Sequence, residues 1–202
     1  MKETIFVAIP VLEEFKAHTV DCLMRLRDYW AMNPVFNFKY SIIIGSRQIH
    51  FARNALVRAG LAQGADYICF LDADMMFPAD TVHQLYYASK DIVGVIYPGR
   101  IKPHPPNVFF WDKDKTRVEQ VGADWLIPKS PLAEVDAVGT GVMLIRKRVF
   151  EGLEKPYFYY EENRSEDIMF CEKARRAGFK IHINTKLKVG HIGDEVFYYE
   201  KK

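Results

Sequence analysis

The stretch Tyr67-Ile68-Cys69-Phe70-Leu71-Asp72-Ala73-Asp74 constrains this chain more than any other, because an apolar run ends abruptly in two carboxylates separated by one small residue. The first five residues are rich in aromatic and β-branched side chains and contain no Gly or Pro, which fits a strand buried in the middle of a parallel sheet. Open α/β sheets take their ligands outside the carboxyl ends of such strands. Two acids in an Asp-x-Asp arrangement at that edge repel each other unless a cation, or a ligand carrying one, lies between them. Asp72 and Asp74 are therefore read as a metal-diphosphate site. The same residues also fit a strand-to-helix turn with an Asp cap, a purely local role.

The rest of the chain repeats one order. Residues 4–9 read as a strand ended by Pro10, and residues 18–30 as a helix with Val20, Leu23, Met24 and Leu26 on one face. Residues 40–44 form a second apolar strand ending in Gly45-Ser46, and residues 52–63 have helical spacing with Gly64 just past the end. After the acidic strand, Pro78 suits the first turn of a helix running to about Ala88, and a strand follows at 92–97. Repeated β-α-β order predicts an α/β fold: a mostly parallel sheet with helices on both faces, because parallel neighbours need crossover connections.

Composition narrows the classes. A chain of 202 residues with 49% hydrophobic content buries one sizeable core, and no Pro/Gly/Ser-rich linker divides it, so one domain is expected. Twenty-eight Lys and Arg against 26 Asp and Glu give a net charge of +2, which argues for neither a nucleic-acid binder nor an acidic interaction protein. Cys22, Cys69 and Cys171 cannot all pair and show no CxxC spacing, which fits a reduced compartment and buried roles, not structural zinc. Residues 5–9 are too short for a signal peptide core, and no run approaches membrane-spanning length, so a soluble cytoplasmic protein with no transmembrane segment is expected.

After Tyr97 the texture changes. Pro98-Gly99-Arg100-Ile101-Lys102-Pro103-His104-Pro105-Pro106 fits neither a helix nor an internal strand; it reads as a loop whose Arg100, Lys102 and His104 can meet a phosphate or an acceptor, or as a solvated crossing. Residues 108–111 and 117–121 flank Asp112-Lys113-Asp114-Lys115 as an antiparallel hairpin, and strands at 135–138 and 142–145 flank Gly139-Thr140-Gly141, whose glycines admit close approach of a sugar or of a neighbouring strand. Ser165-Glu166-Asp167 opens a helix with Ile168, Cys171 and Ala174 at helical spacing and an end near Gly178. Backbone N–H groups and the helix dipole at such a start are expected to lower a carboxylate's pKa and keep it ionised. An alternating strand at 179–183 leads to Leu187-Lys188-Val189-Gly190-His191, and a neutral His191 suits a borderline divalent ion as a further ligand.

Taken together, Ala52-Arg53-Asn54, Gly64-Ala65-Asp66 through Asp72-Ala73-Asp74, Pro78, Gly139-Thr140-Gly141, Ser165-Glu166-Asp167, Gly178-Phe179 and His191 resemble a GT-A fold glycosyltransferase, closest to family 2, in order and over nearly the whole chain. The resemblance implies one GT-A domain over residues 1–202, with a nucleotide-binding half at about 1–98 and an acceptor half at about 99–202. It implies a nucleotide-diphosphate-sugar donor, a glycan, lipid or protein acceptor, and Mn²⁺ or Mg²⁺. Asp74 and His191 match metal-ligand positions, and Asp72 lies near the donor ribose or a metal-bound water. Pro10 with the Val11-Leu12-Glu13 loop, Arg53, Asp72, Ala73 and Gly141 fall on the nucleotide-sugar side, and Glu166 or Asp167 matches the acceptor-side acid.

The chain also departs from the pattern. Its second strand ends in Gly45-Ser46-Arg47 without the Asp that many family 2 members place on the base, and little chain follows His191 to build a lid, so the acceptor site is open or completed by a partner chain, a second copy included. The chemistry accounts for the acids. A divalent ion bridging diphosphate oxygens stabilises the leaving charge. An inverting reaction, favoured here over a retaining one, also needs a base opposite the leaving group, with Asp167 the first choice and Glu166 the second. If His191 ligates, Mn²⁺ is favoured over Mg²⁺. Two other classes fit less well: a catalytically silent GT-A-like binding or assembly module has no need of all these acids together, and a metal-dependent nucleotidyltransferase lacks its Gly-rich basic loop, since Ile9-Pro10-Val11-Leu12-Glu13 follows the first strand.

Overall fold

The computed structural model describes residues 1–46, 48–100, 102–112, 118–161, 164–193 and, as backbone, 196–198. Along them run β1 (Thr4–Val11), α1 (Ala17–Met32), β2 (Asn37–Ile44), α2 (Ile49–Ala62), β3 (Tyr67–Leu71), β4 (Met75–Met76), α3 (Thr81–Tyr87), β5 (Ile92–Val95), β6 (Val108–Trp111), β7 (Val118–Gln120), β8 (Leu132–Val135), β9 (Ala137–Val138), β10 (Val142–Arg146), α4 (Lys147–Glu151), α5 (Glu166–Arg176), β11 (Ile181–Asn184), β12 (Gly190–Ile192) and β13 (Val196–Tyr198). Arg47, Ile101 and residues 113–117, the middle of the expected hairpin, lie outside the described residues.

The main sheet has seven strands in the order β2-β1-β3-β10-β5-β11-β8. β2, β1, β3, β5 and β11 share one direction, whereas β10 and β8 run against their neighbours. The mostly parallel α/β sheet expected from the β-α-β order is thus present, with β10 wedged antiparallel between β3 and β5. Gly94 of β5 tolerates this arrangement because it has no side chain: a Cβ there would lie 2.8 Å from Val138 Cγ1.

Side chains alternate across this sheet, as the pleat requires. Phe6, Ala8, Ile68 and Phe70 point into one apolar layer with Leu56 and Val57 of α2 and Phe170 and Ala174 of α5. Ile5, Val7, Tyr67, Cys69 and Leu71 point into the other, with Cys22 and Leu26 of α1 and Val82 and Leu85 of α3. All five β3 residues are buried, as an all-apolar strand covered on both faces must be. The three cysteines are free and buried.

Two expectations need correction. The inner face of α1 is Thr19, Cys22 and Leu26, while Val20 and Met24 are 40% and 64% exposed. Adjacent helical residues differ by about 100° around the axis, so reading the stripe one residue late turns it toward water. β2 is longer than expected and forms the sheet edge, with Tyr40, Ile42 and Ile44 exposed on one face.

A small sheet of β13-β12-β4 positions the site. It pairs His191 with Met75 and Gly190 with Met76, and Ile192 N–H donates to Asp74 O at 2.8 Å. This three-strand patch carries His191 to the end of β3.

Candidate active site

The carboxyl ends of β1 and β3 lie side by side, since β1 pairs in parallel with β3 along Ile5–Tyr67 to Ala8–Phe70. The turn after β3 is fixed by its backbone: Asp72 N–H donates to Gly141 O at 2.9 Å, and Lys16 N–H donates to Ala73 O at 3.0 Å. The first bond ties the Asp72-Ala73-Asp74 turn to the Thr140-Gly141 approach of β10. The second folds the loop after β1 over it. Between these walls opens a cavity of about 550 Å³.

Pro10, Arg53, Asp72, Ala73, Asp74, Glu166, Asp167 and His191 all line this cavity. Gly141 lies beneath it instead. Its N–H donates to Tyr97 Oη at 3.0 Å, and a Cβ there would lie 2.8 Å from the same oxygen, so the glycine admits a neighbouring tyrosine.

Arg53, on α2, is 3% exposed and joins two of the acids. Its Nη1 and Nη2 donate to both oxygens of Asp72 at 3.0 Å each, and its Nε donates to Glu166 Oε1 at 3.2 Å. Burial alone lowers an arginine's pKa, but Asp72 and Glu166 outweigh it and hold the guanidinium well above its ordinary range. Both Asp72 oxygens are thereby engaged by Arg53. The adjacent Asn54 does a different job: Nδ2 donates to Phe158 O at 2.7 Å, and Oδ1 accepts from Tyr157 N–H and Phe158 N–H.

Further along the same turn, Asp74 Oδ2 and His191 Nε2 lie 3.6 Å apart. His191 Nδ1 faces Pro98 O at 2.9 Å while Nε2 accepts from Arg100 Nε at 3.0 Å, so the proton lies on Nδ1 and the Nε2 lone pair faces the cavity. Burial lowers the His191 pKa, which keeps the ring neutral near pH 7. The Arg100 guanidinium also pairs with Asp74. A cation therefore stands where a carboxylate oxygen and a neutral imidazole nitrogen converge, and a backbone carbonyl fixes the imidazole's tautomer as it does for metal ligands. This donor set fits a borderline divalent ion, Mn²⁺ before Mg²⁺. Among the described residues no three His, Cys, Asp or Glu side chains cluster to hold a metal by themselves, so an ion here also needs ligand oxygens and water. One further group is unsatisfied at the cavity: the Thr140 hydroxyl is buried and has no partner among the described residues.

At the start of α5, Asp167 Oδ1 accepts from Ile168 N–H at 2.8 Å and from the Ser165 hydroxyl, while Oδ2 has no protein partner among the described residues. The Asp167 pKa is not lowered, as expected from the helix start, but pushed up to about 6. Burial and the adjacent Glu166 charge outweigh Ser165, Arg53 and the Ile168 N–H. Tyr160 borders the same acids, and burial with the Glu166 charge pushes its phenol up to about 12.

Three cavity residues escape a sequence reading. Tyr97 packs edge-on against His191 at 5.4 Å and against Gly141, yet in sequence it is only the end of an apolar strand. Tyr160 lies in an irregular segment with no periodicity to read. Lys16 precedes α1, and its backbone contributes rather than its charge.

No known sequence family matches this chain, and no curated protein does. Solved structures do. A197 from STIV superposes with a TM-score of 0.63 at 18% identity, over 99% of this chain and 95% of that one. GalNAc-T7 with UDP, GalNAc and Mn²⁺ gives a TM-score of 0.53 at 14% identity, over 96% of this chain and 44% of its own. S. aureus TarS residues 1–349 in complex with UDP-GlcNAc gives 0.51 at 16% identity, over 100% of this chain and 59% of that one. The chain has the GT-A glycosyltransferase fold. The GT-A sheet accounts for the acids at the end of β3, since ligands of open α/β sheets bind outside the carboxyl ends of strands. This chain spans about half the length of TarS 1–349 and GalNAc-T7. No helix among the described residues is long and apolar enough to cross a membrane.

Proposed function

We propose that this chain is a metal-dependent glycosyltransferase that moves a sugar from a nucleotide-diphosphate donor to an acceptor hydroxyl with inversion. One observation carries the reading: Asp74 Oδ2 and His191 Nε2 converge on a cationic group across the same cavity that Asp167 enters from α5. Fold alone does not establish an activity, so the weight rests on that constellation.

Asp74 and His191 would hold the divalent ion, which when bound would supply Lewis-acid stabilisation to the leaving diphosphate. Arg53 holds both oxygens of Asp72 in place beside the donor side of the cavity. Asp167 takes the acceptor hydroxyl proton at Oδ2, its unpartnered oxygen. A base with a pKa of about 6 is ionised near neutrality yet basic enough to accept a proton in the transition state. Glu166, buried against Arg53, is the poorer candidate because its carboxylate already neutralises a guanidinium. The Thr140 hydroxyl offers the donor a hydrogen bond that the protein leaves unfilled.

A thermal-shift screen of nucleotide-sugars with and without Mn²⁺ tests the reading, because a ligand that binds only the native state raises its apparent stability. The expected result is stabilisation by one nucleotide-sugar class that needs Mn²⁺ and disappears on chelation. Equal behaviour of all nucleotide-sugars with and without Mn²⁺ would sink it.

A further inference from the structure

A second cavity, of about 420 Å³, adjoins the catalytic one along α2. His50, Phe51 and Arg58 of α2 form one wall, and Lys155, Tyr157 and Tyr159 form the other. Its volume falls in the range of small-ligand sites. The two cavities share a partition. Ile49 of α2 lines the catalytic cavity and His50 and Phe51 the second, while Tyr160 lines the catalytic cavity and packs edge-on against His50 at 5.0 Å.

We infer that this second cavity is the acceptor subsite and that it takes a saccharide bearing an anionic group. The inference rests on the glycosyl-transfer reading and names its acceptor class. Position comes first: a molecule seated against His50 and Phe51 reaches Asp167 by passing over Tyr160. The surface chemistry points the same way. Phe51 is 63% exposed on a helix and lies 4.2 Å from the half-buried His50 ring, and Tyr160, packed on the other side of that ring, is 50% exposed, so two uncovered aromatic rings flank His50 as one shelf. Such a shelf matches the apolar C–H face of a sugar ring, and an exposed aromatic cluster marks a binding surface more often than chance.

Charge supplies the anion. Arg58 lies two helical turns beyond Phe51 on the same face of α2, and Lys155 approaches from the other wall. Neither pairs with a carboxylate among the described residues, so this end of the cavity is uncompensated and basic. The walls are also held in place before any ligand arrives. Asn54 clamps Tyr157 and Phe158 through four hydrogen bonds to backbone, counting one to His50 O at 2.7 Å, and Lys173 Nζ donates to Glu154 O and Pro156 O at 2.7 and 3.0 Å. A preformed wall spares a ligand the ordering of the loop.

The test is a glycan array carrying neutral, sulfated, phosphorylated and uronic-acid saccharides, probed with the parent, Phe51→Ala and Arg58→Glu, beside calorimetric titration of UDP with Mn²⁺. Retention of anionic saccharides over neutral ones is expected in the parent. Each variant should lose it by on the order of tenfold, with UDP affinity unchanged. Arg58→Gln should fall between parent and Arg58→Glu. Retention that neither variant alters, retention that free UDP abolishes, or no anionic saccharide retained by the parent would each overturn the assignment. A protein partner that binds through Phe51 and Arg58 in place of any saccharide would overturn it too. If UDP with Mn²⁺ fails to bind while anionic saccharides are retained through Phe51 and Arg58, the subsite stands and the donor reading falls.

Discussion

The end of β3 and the start of α5 each present two carboxylates to one cavity, and they are held in opposite ways. Asp72 and Asp74 are met by cations, Arg53 and Arg100. Asp167 is met by burial and by Glu166, and the basic Arg53 near it is shared with Asp72 and Glu166. The same residue type thus meets a guanidinium at one edge and burial beside a like charge at the other. Environment, not side-chain identity, divides the work.

Breaking the α5 side should give the largest effect. Asp167→Asn keeps size and hydrogen bonding but removes basicity, so single-turnover transfer should fall by a factor on the order of 10²–10⁴ with donor affinity unchanged. Parent-level transfer in that variant would rule out Asp167 as the base. Removing the shared cation comes next. Arg53→Ala leaves Asp72 and Glu166 facing each other without a counter-charge, and denaturant unfolding should report a loss of about 3–5 kcal/mol. A change below about 1 kcal/mol would mean water already compensates the two acids.

On the β3 side, Asp74→Ala should weaken Mn²⁺-dependent donor binding by roughly 100-fold while leaving the fold intact, and His191→Ala by roughly tenfold, since water replaces an imidazole more readily than a carboxylate. Calorimetry distinguishes the two, and undiminished affinity in Asp74→Ala removes the metal from this wall. The gentlest probe is pH. Because the Asp167 pKa is raised from 3.8 to about 6, its ionisation opposes folding: the contribution to stability is complete below pH 4 and lost as pH rises through about 6. Transfer should run the other way, rising with pH through about 6 as the base ionises. Asp167→Asn should lack both trends.

Much of the β3 end of the cavity was legible in the sequence because local pattern carries it. An all-apolar run followed by Asp72 and Asp74 needs a covered strand with an acidic end, and Gly64 past α2 adopts the left-handed φ of +74° that ends a helix. What escaped is nonlocal. Strands of two and three residues such as β4 and β12 are too short for periodicity, so nothing in the sequence announces that Met75 pairs with His191. The rise of the Asp167 pKa depends on how deeply α5 is packed, which a helix-start pattern does not encode.

β10 also bears on the order in which the chain is made. Because it lies between β3 and β5, a ribosome that has delivered both of those strands has not yet delivered the one that joins them. Until residue 146 emerges, β3 presents an unpaired, wholly apolar edge, the kind of surface that invites other chains. The strand that ends in the acids thus waits, as β5 does, on later chain to cover its edge during synthesis.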